Sequence, residues 1–500
     1  MADGAFSVFD RASVFGGFAE DERRRLFLPD DAWERRIFAE THLRDTRASA
    51  SCTLGITSAQ KAVARKTGAV LGVLGMWSPG LLLQLISVTL LVLFSLLIIH
   101  RSILILAGAV SRMSRPMDDD RSGTRGKTIW PVYTVLVAVY REPRAVPGLV
   151  AALKGLDYPK RQLDIQILIE EEDEETLNAL LALKLKPHFR IVPVPKGNVQ
   201  TKPRALNYGL SLALGQYVAI YDAEDQMHAG QLKAAVRAFQ SGGDASLCCV
   251  QAPLIPHNGR ESWIARQFQL EYLTHFGLIV PGLTACRAPV MLGGTSNHFR
   301  RDILEQVGGW DPCNVTEDAD LGLRLSAAGY RIGVISPPTY EEAPVRCRQW
   351  IGQRSRWVKG FIQTLGVFTR NPKKMIRQMG MLRWMSAMAL LSGAVFSALA
   401  HGPLAIWLLV CALAPGLGVP DAALCLLATG FGLHIVGSVF SWERISFAYV
   451  FGALTAPFYW PLQTIAAIKA IHELIKRPYF WDKTEHGLTR RELCRSRLRS

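Results

Sequence analysis

Zinc and disulfide chemistry find little support in this 500-residue sequence, which contains no C-x-x-C pair. Its nine cysteines, at positions 52, 248, 249, 286, 313, 347, 411, 425 and 494, follow none of the spacings of a zinc site and are expected to be reduced and structural. No repeat of 20 to 50 residues and no low-complexity tract occurs, which excludes solenoid and fibrous architectures. Met1 to Asp10 lacks the basic start and apolar run of a cleavable signal, so membrane insertion is expected to use internal segments. Acidic residues are in the minority, 42 against 57 Lys and Arg, giving a net charge of +15. Nucleic acid is nevertheless not the expected partner. The 49% of apolar residues is concentrated in long runs, which points to a lipid bilayer.

These runs divide the chain. Residues 1–66 are polar and Arg-rich, with the cluster Asp21-Glu22-Arg23-Arg24-Arg25, and are expected to be helical; no function is readable in them. Residues 67–110 form a transmembrane region. Leu81 to Ile99 runs for 19 residues without a charge, about what a hydrocarbon core of roughly 30 Å requires of a helix. A shorter segment before Pro79 either completes a hairpin or lies in the interface. Residues 111–370 have soluble composition. The runs Tyr133–Val139, Ile165–Ile169, Ile191–Val194 and Tyr217–Tyr221 read as strands, alternating with helical patterns at Ala205–Leu214 and Gln231–Phe239. That alternation predicts an α/β fold with a mainly parallel sheet.

Residues 371–475 are again apolar, and four crossings are expected: Trp384–Ala400, Pro403–Leu417, Ala422–Phe440 and Ser446–Ala470. Basic residues flank the soluble segment on both sides, Arg112 to Lys127 before it and Arg370 to Arg377 after it, and residues 476–500 form a basic tail. By the positive-inside rule these flanks and the soluble domain face the cytoplasm of a multi-pass inner (plasma) membrane protein, and an even number of crossings must follow the domain.

Three acidic or basic clusters carry candidate chemistry. The strand Tyr217–Tyr221 runs into Asp222-Ala223-Glu224-Asp225, at the carboxyl end where α/β sheets bind ligands. Three carboxylates there are electrostatically unfavourable unless a divalent cation such as Mg2+ or Mn2+ offsets them, and such an ion would neutralise the diphosphate of a nucleotide sugar. An acidic helix start would produce the same residues. Thr316-Glu317-Asp318 opens a helical pattern, and a carboxylate at a helix N-terminus stays ionised, as a general base requires. Gln353-Arg354-Ser355-Arg356-Trp357 lies in a helical stretch where Gln353, Arg356 and Trp357 share a face. Arg suits phosphate and Trp suits sugar stacking, and a basic aromatic interfacial helix is the alternative.

Together the three clusters resemble the D-x-D, T-E-D and Q-x-x-R-W motifs of processive family 2 glycosyltransferases, the group that includes cellulose synthase, over roughly residues 130 to 485. The resemblance implies a Rossmann-like GT-A domain on the cytosolic face and an inverting, metal-dependent reaction with a UDP-sugar, UDP-glucose by default. It also implies a growing β-glycan acceptor and its export, with a possible periplasmic partner. By position, Asp222 would contact the nucleotide and Glu224 would take the place of the second, metal-binding Asp, with Asp225 sharing that role. Asp318 matches the catalytic base and Glu317 its acceptor-side neighbour. Gln353 and Arg356 match pyrophosphate-holding residues, and Trp357 the ring beneath the acceptor.

Less tightly, Val139-Tyr140-Arg141-Glu142 resembles a nucleotide-contacting loop in which Asn is usual at Arg141, making Tyr140 and Glu142 donor candidates. Asp173 matches an acid near the uracil, Lys202 a basic K-x-x-A-L-N turn, and Gly293-Gly294-Thr295-Ser296-Asn297 an acceptor segment that includes Thr295 and Ser296. Turns and solvated faces account for these stretches as well. Phe480 to Gly487 resembles a closing loop with Trp481 stacking and Lys483 meeting phosphate. No regulatory β-barrel follows it in the sequence, so control through such a domain in cis is not expected. The rival readings are transfer of a single sugar to a polyprenyl phosphate or lipid, and a nucleotide-binding membrane scaffold without catalysis.

Overall fold

The computed structural model describes residues 32–113, 129–241, 243–414, 416, 418–441 and 446–479. The chain forms two compact units, one of residues 1–53, 125–252 and 291–339, the other of 54–124, 253–290 and 340–500.

The first unit is built on a seven-stranded sheet of β1 (Tyr133–Val139), β2 (Leu163–Glu170), β3 (Phe189–Val194), β4 (Tyr217–Tyr221), β5 (Leu247–Gln251), β6 (Asn297–Arg300) and β7 (Arg331–Val334). Their order is β3-β2-β1-β4-β6-β5-β7. The first four pair in parallel, with Val135 opposite Ile165 and Ala219. Each is short and rich in β-branched residues, and β2 is buried throughout, as a strand covered on both faces requires. Strand β6 runs antiparallel to both its neighbours and reverses the sheet direction next to β4. Neither β6 nor β7 is legible as a strand, because Asn297-His298-Phe299-Arg300 and Arg331-Ile332-Gly333-Val334 lack an apolar run.

The helix expected at Ala205–Leu214 spans Lys202–Ser211, starting a turn earlier, with Pro203 in its first turn, and ending sooner. Ala32–Arg47 forms the helix that the polar N-terminal composition suggests, and it packs on Lys202–Ser211.

Among the described residues, three helices of the second unit are long and apolar enough to cross a membrane: Pro79–Met113, Met381–Leu413 and Asp421–Ser441. The expected break at His401-Gly402-Pro403 is absent. Trp384–Ala400 and the stretch from Pro403 to Leu413 belong to one 33-residue helix, Met381–Leu413, that carries Pro403 in its interior. The hydroxyl of Thr464 explains how the proline is tolerated. It accepts from the Gly402 amide at 2.8 Å and donates to the Ala398 carbonyl at 2.6 Å, standing in for the direct ladder bond. The crossing expected at Ser446–Ala470 is divided into Phe447–Tyr459 and Leu462–Lys476, with Pro461 at the break. Before Pro79 the short segment is a 20-residue helix, Ser58–Trp77, closed at its start by a capping box of Thr57 and Gln60.

Helix Pro79–Met113 crosses the segment His275–Ala285 at glycine contacts. A Cβ at Gly282 would lie 2.1 Å from the Leu104 carbonyl oxygen, and one at Gly108 would lie 2.0 Å from that of Leu278. Backbone cannot yield as a side-chain tip can. Gly282→Val is therefore expected to destabilise the protein by about 3 kcal/mol, whereas Gly432→Ala, which meets nothing within 4 Å, stays near wild type. Thermal melts of the detergent-solubilised variants test this, and equal midpoints would refute the close crossing.

Candidate active site

Strand β4 delivers its acidic turn at the carboxyl edge of the sheet, and the three acids there do different things. Asp225 is buried and points inward, accepting the Asp222 amide at 2.8 Å and the Thr295 hydroxyl. Burial first, then the charges of Asp222 and Glu224, push its carboxyl well above the usual range. Asp222 is about one-third exposed and pairs with the Lys202 ammonium. Glu224 is half-buried, and burial followed by the charges of Asp222 and Glu142 raises its pKa to about 8.

Lys202 ties this turn to a second segment by donating to the Gly294 carbonyl at 2.6 Å. Burial would lower its pKa, but Asp222 and then Glu317 reverse the effect and hold it above the ordinary lysine value. On the other side of Gly294 stands Asp318. A Cβ at Gly294 would lie 3.3 Å from the Asp318 carboxylate, so only a residue without a side chain leaves that carboxylate uncrowded. Asp318 sits in the first turn of helix Glu317–Ala327 and accepts the Ala319 amide at 2.7 Å. Gly294 thus adjoins both Lys202, the partner of Asp222, and Asp318, although 222 and 318 are more than 90 residues apart in sequence. Asp320 has a different part: it is fully buried against Arg324 at 2.7 Å and holds the helix in place.

The segment read as acceptor-binding shapes the site by its backbone. Besides bonding Asp225, the Thr295 hydroxyl is buried, and that of Ser296 bonds Thr339 at 2.6 Å. Both hydroxyls are engaged in the interior. Ser296 also takes a left-handed φ of 57°.

After β1, Arg141 has a φ of 52°, a conformation in which Asn is several-fold enriched. Its amide donates to Asp173 at 2.5 Å, and Asp173 caps helix Glu174–Leu181 by accepting the Thr176 amide at 3.3 Å. The Glu142 amide donates to the Thr176 hydroxyl at 3.0 Å, and the Tyr140 hydroxyl donates to Glu172 at 3.4 Å. Asp173 therefore fastens this loop to the next helix.

Gln353, Arg356 and Trp357 lie on helix Cys347–Phe368 of the second unit. Gln353 is buried, and its side-chain oxygen has no hydrogen-bond partner among the described residues. Sequence reasoning passed over Arg354. Its guanidinium lies 4.5 Å from the Trp357 ring centroid, 5.3 Å from that of Phe268 and 5.4 Å from that of Trp350, and it pairs with Glu271. Tyr459 links the same cluster, donating to Glu271 at 3.0 Å and accepting from the Trp350 indole at 2.7 Å. Trp350 and Trp357 are its neighbours on the same helix, whereas Phe268 and Glu271 lie more than 80 residues away in sequence, and no local pattern carries those two. Trp481 and Lys483 lie outside the described residues.

Among the described residues no group of three or more His, Cys, Asp or Glu is placed to hold a metal ion. The half-buried Glu224, whose ionisation its acidic neighbours oppose, is nonetheless a carboxylate that a divalent cation would favour, provided the diphosphate completed the coordination.

A family model described as "Glycosyl transferase family group 2" matches residues 217–462, from β4 through all three motif clusters. The matched stretch is just under half of the chain. The first unit has the expected α/β fold with a mainly parallel sheet. The glycosyltransferase reading is shared by curated relatives. The chain is 26% identical over 248 residues to the beta-monoglucosyldiacylglycerol synthase of Synechocystis, covering 48% of this chain and 50% of that one. It is 26% identical over 246 residues to the cellulose synthase 1 catalytic subunit of Komagataeibacter xylinus, covering 48% and 32%. The chain spans about half the length of the first curated relatives it matches. Among solved structures, the mannosyltransferase PcManGT from Pyrobaculum calidifontis, in complex with GDP-Man and Mn2+, has a TM-score of 0.47 at 20% identity, over 79% of this chain and 99% of that one.

The first unit also contains a buried polar network. The Tyr133 hydroxyl meets Nδ1 of His298 at 2.8 Å, and Nε2 of His298 meets Oε1 of Gln231 at 3.2 Å. Gln231 donates through its nitrogen to Pro337 and Thr339, so its oxygen accepts and His298 carries its proton on Nε2. Burial lowers the His298 pKa from 6.5 to about 3, so the unfolded chain binds a proton that the folded one refuses. This contribution is intact above pH 6.5 and lost as pH falls from there towards 3, by up to about 1.4 kcal/mol per unit. Thermal melts between pH 7.5 and 5 should show a shallower pH dependence for His298→Gln than for wild type. Parallel curves would contradict the neutral buried imidazole.

Proposed function

We propose that the chain is an inverting membrane glycosyltransferase that moves a hexose from a UDP-sugar, glucose by default, to the hydroxyl of a growing β-linked glycan exported across the membrane. The observation that carries the chemistry is the meeting of Asp318 with the Lys202–Asp222 pair around Gly294. Asp318 takes the proton of the acceptor hydroxyl as the oxygen attacks the anomeric carbon from the side opposite UDP. A single displacement inverts that centre. Lys202 contributes a buried cation on the donor side, and Asp222 orients it. A divalent cation, magnesium or manganese, held at Glu224 would supply charge neutralisation for the leaving diphosphate. Asp225 shapes the turn. By resemblance, Tyr140, Glu142 and Asp173 belong to the nucleotide loop, Gln353 and Arg356 to the pyrophosphate, Glu317 and Trp357 to the acceptor.

Charge supports a cytosolic catalytic domain in a multi-pass inner membrane protein. Helix Phe447–Tyr459, about 20 Å long, is too short for a hydrocarbon core of about 30 Å. Among the described residues, two helices after the catalytic segment, Met381–Leu413 and Asp421–Ser441, are long and apolar enough to cross. Two is even, so both basic flanks stay on one side.

The same count favours a second reading. With two long C-terminal helices in place of four expected crossings, less protein is available to surround an exported polymer, and transfer of one sugar to a lipid acceptor gains weight. The likeness to a beta-monoglucosyldiacylglycerol synthase supports it too. Export, if it occurs, would deliver the glycan to a periplasmic partner.

Membranes or purified protein incubated with a panel of UDP- and GDP-sugars, followed by product analysis, separate a polymer from a single-sugar lipid. In that assay Asp318→Asn should lower transfer by about 10²- to 10⁴-fold while UDP binding persists; wild-type turnover would refute the assigned base. Trp357→Ala should reduce product length or acceptor use more than donor hydrolysis, and equal losses would argue against an acceptor platform.

A further inference from the structure

The N-terminal helix Ala32–Arg47 has no part in the chemistry above, yet it is anchored to two of the segments that form the site. Its Glu40 carboxylate accepts the Asn198 amide at 3.1 Å and faces the Arg204 guanidinium at 3.5 Å. Arg204 is wholly buried and also donates to Glu170, at the end of β2, at 2.5 Å and to the Pro195 carbonyl at 2.7 Å. The fit is close enough that a Cβ at Gly197 would overlap the Glu40 carboxylate. Arg36 adds a bond to the Lys196 carbonyl at 2.9 Å. The stretch thus gripped, residues 195–204, contains Lys202, two positions before Arg204 in the first turn of the same helix.

Further along, Arg47 donates to the Gln306 carbonyl at 2.8 Å, and the Cys52 amide donates to Asp311 at 2.7 Å. Asp311 opens the loop that leads to Asp318. The Thr201 hydroxyl joins the two stretches by donating to the Pro312 carbonyl at 2.8 Å.

A buried guanidinium held between two carboxylates is a costly arrangement that a simple apolar helix contact would not need. Its geometry fixes the backbone on either side of Lys202. We propose that helix Ala32–Arg47 braces the donor side of the glycosyltransferase site, and that Glu40 is a positioning residue which sets Lys202 through Arg204. This rests on the donor-side role of Lys202 proposed above.

The test uses the full chain in membranes with the active nucleotide sugar. Glu40→Gln keeps the shape but removes one of the two charges on Arg204. The donor KM is expected to rise about tenfold with acceptor KM and kcat close to wild type, and Glu40→Asp should recover part of the loss. In a Lys202→Met background Glu40→Gln should add nothing further. A merely structural role would instead lower the amount of active enzyme and leave both KM values unchanged, which would overturn the proposal, as would an equal Glu40→Gln effect with and without Lys202. A Lys202→Met enzyme with unaltered donor KM would sink the donor-side reading and this inference with it. An impaired Lys202→Met enzyme beside a silent Glu40→Gln would sink the inference alone.

Discussion

The Lys202 ammonium, bonded at once to the Asp222 carboxylate and the Gly294 carbonyl, is the contact on which the site depends. The end of β4 places Asp222, Glu224 and Asp225 within reach of the charges of Glu142 and Glu317, and the Lys202 ammonium opposes that concentration of acid. The cation does more than neutralise. By fastening Gly294 it brings a residue without a side chain against Asp318, and so determines that the acid of a distant helix shares a location with those of the strand end.

The three acids of this turn behave in three ways because their partners and their burial differ. Asp222 forms the ion pair. Asp225 faces the interior, where the Asp222 amide and Thr295 take the place of solvent and burial opposes its charge. Glu224 stands between these limits, half-buried and pressed towards neutrality by its neighbours. A carboxylate in that state gains most from a cation arriving with the substrate, which is why Glu224 is a better metal candidate than Asp225 even though Asp is the shorter and commoner residue at such positions.

Much of the site was legible because its residues are local runs at the ends of elements: an acidic turn after an apolar strand, or acids opening a helix. Strands β1 to β4 were visible for the same reason, each being a compact apolar run. Strands β6 and β7 were not, since β6 carries His298 and Asn297, whose burial is made possible by partners such as Tyr133 and Gln231 that no local window contains. Glu40 and Arg354 were missed on the same ground. Each gains its meaning from a charge partner far along the chain, Arg204 for one and Glu271 for the other. Thr295 and Ser296 belong to a stretch that by resemblance is an acceptor segment or else a plain turn, and the interior bonding of their hydroxyls comes from Asp225 and Thr339, which no local window contains.

In the apolar part, proline was given too much weight as a breaker. Pro403 interrupts a ladder only where nothing else satisfies the freed groups, and Thr464 satisfies them from a neighbouring helix. The crossing count follows from that single hydroxyl. Where it closes the gap, two expected segments become one helix of 33 residues, about 50 Å long, which exceeds the hydrocarbon thickness and must tilt or extend beyond it. At Pro461 the chain breaks, and the 13-residue helix before it is left too short to cross. One proline is thus carried inside a long helix by a bridging hydroxyl and the other stands at a break, and together they set where these apolar helices run on and where they stop.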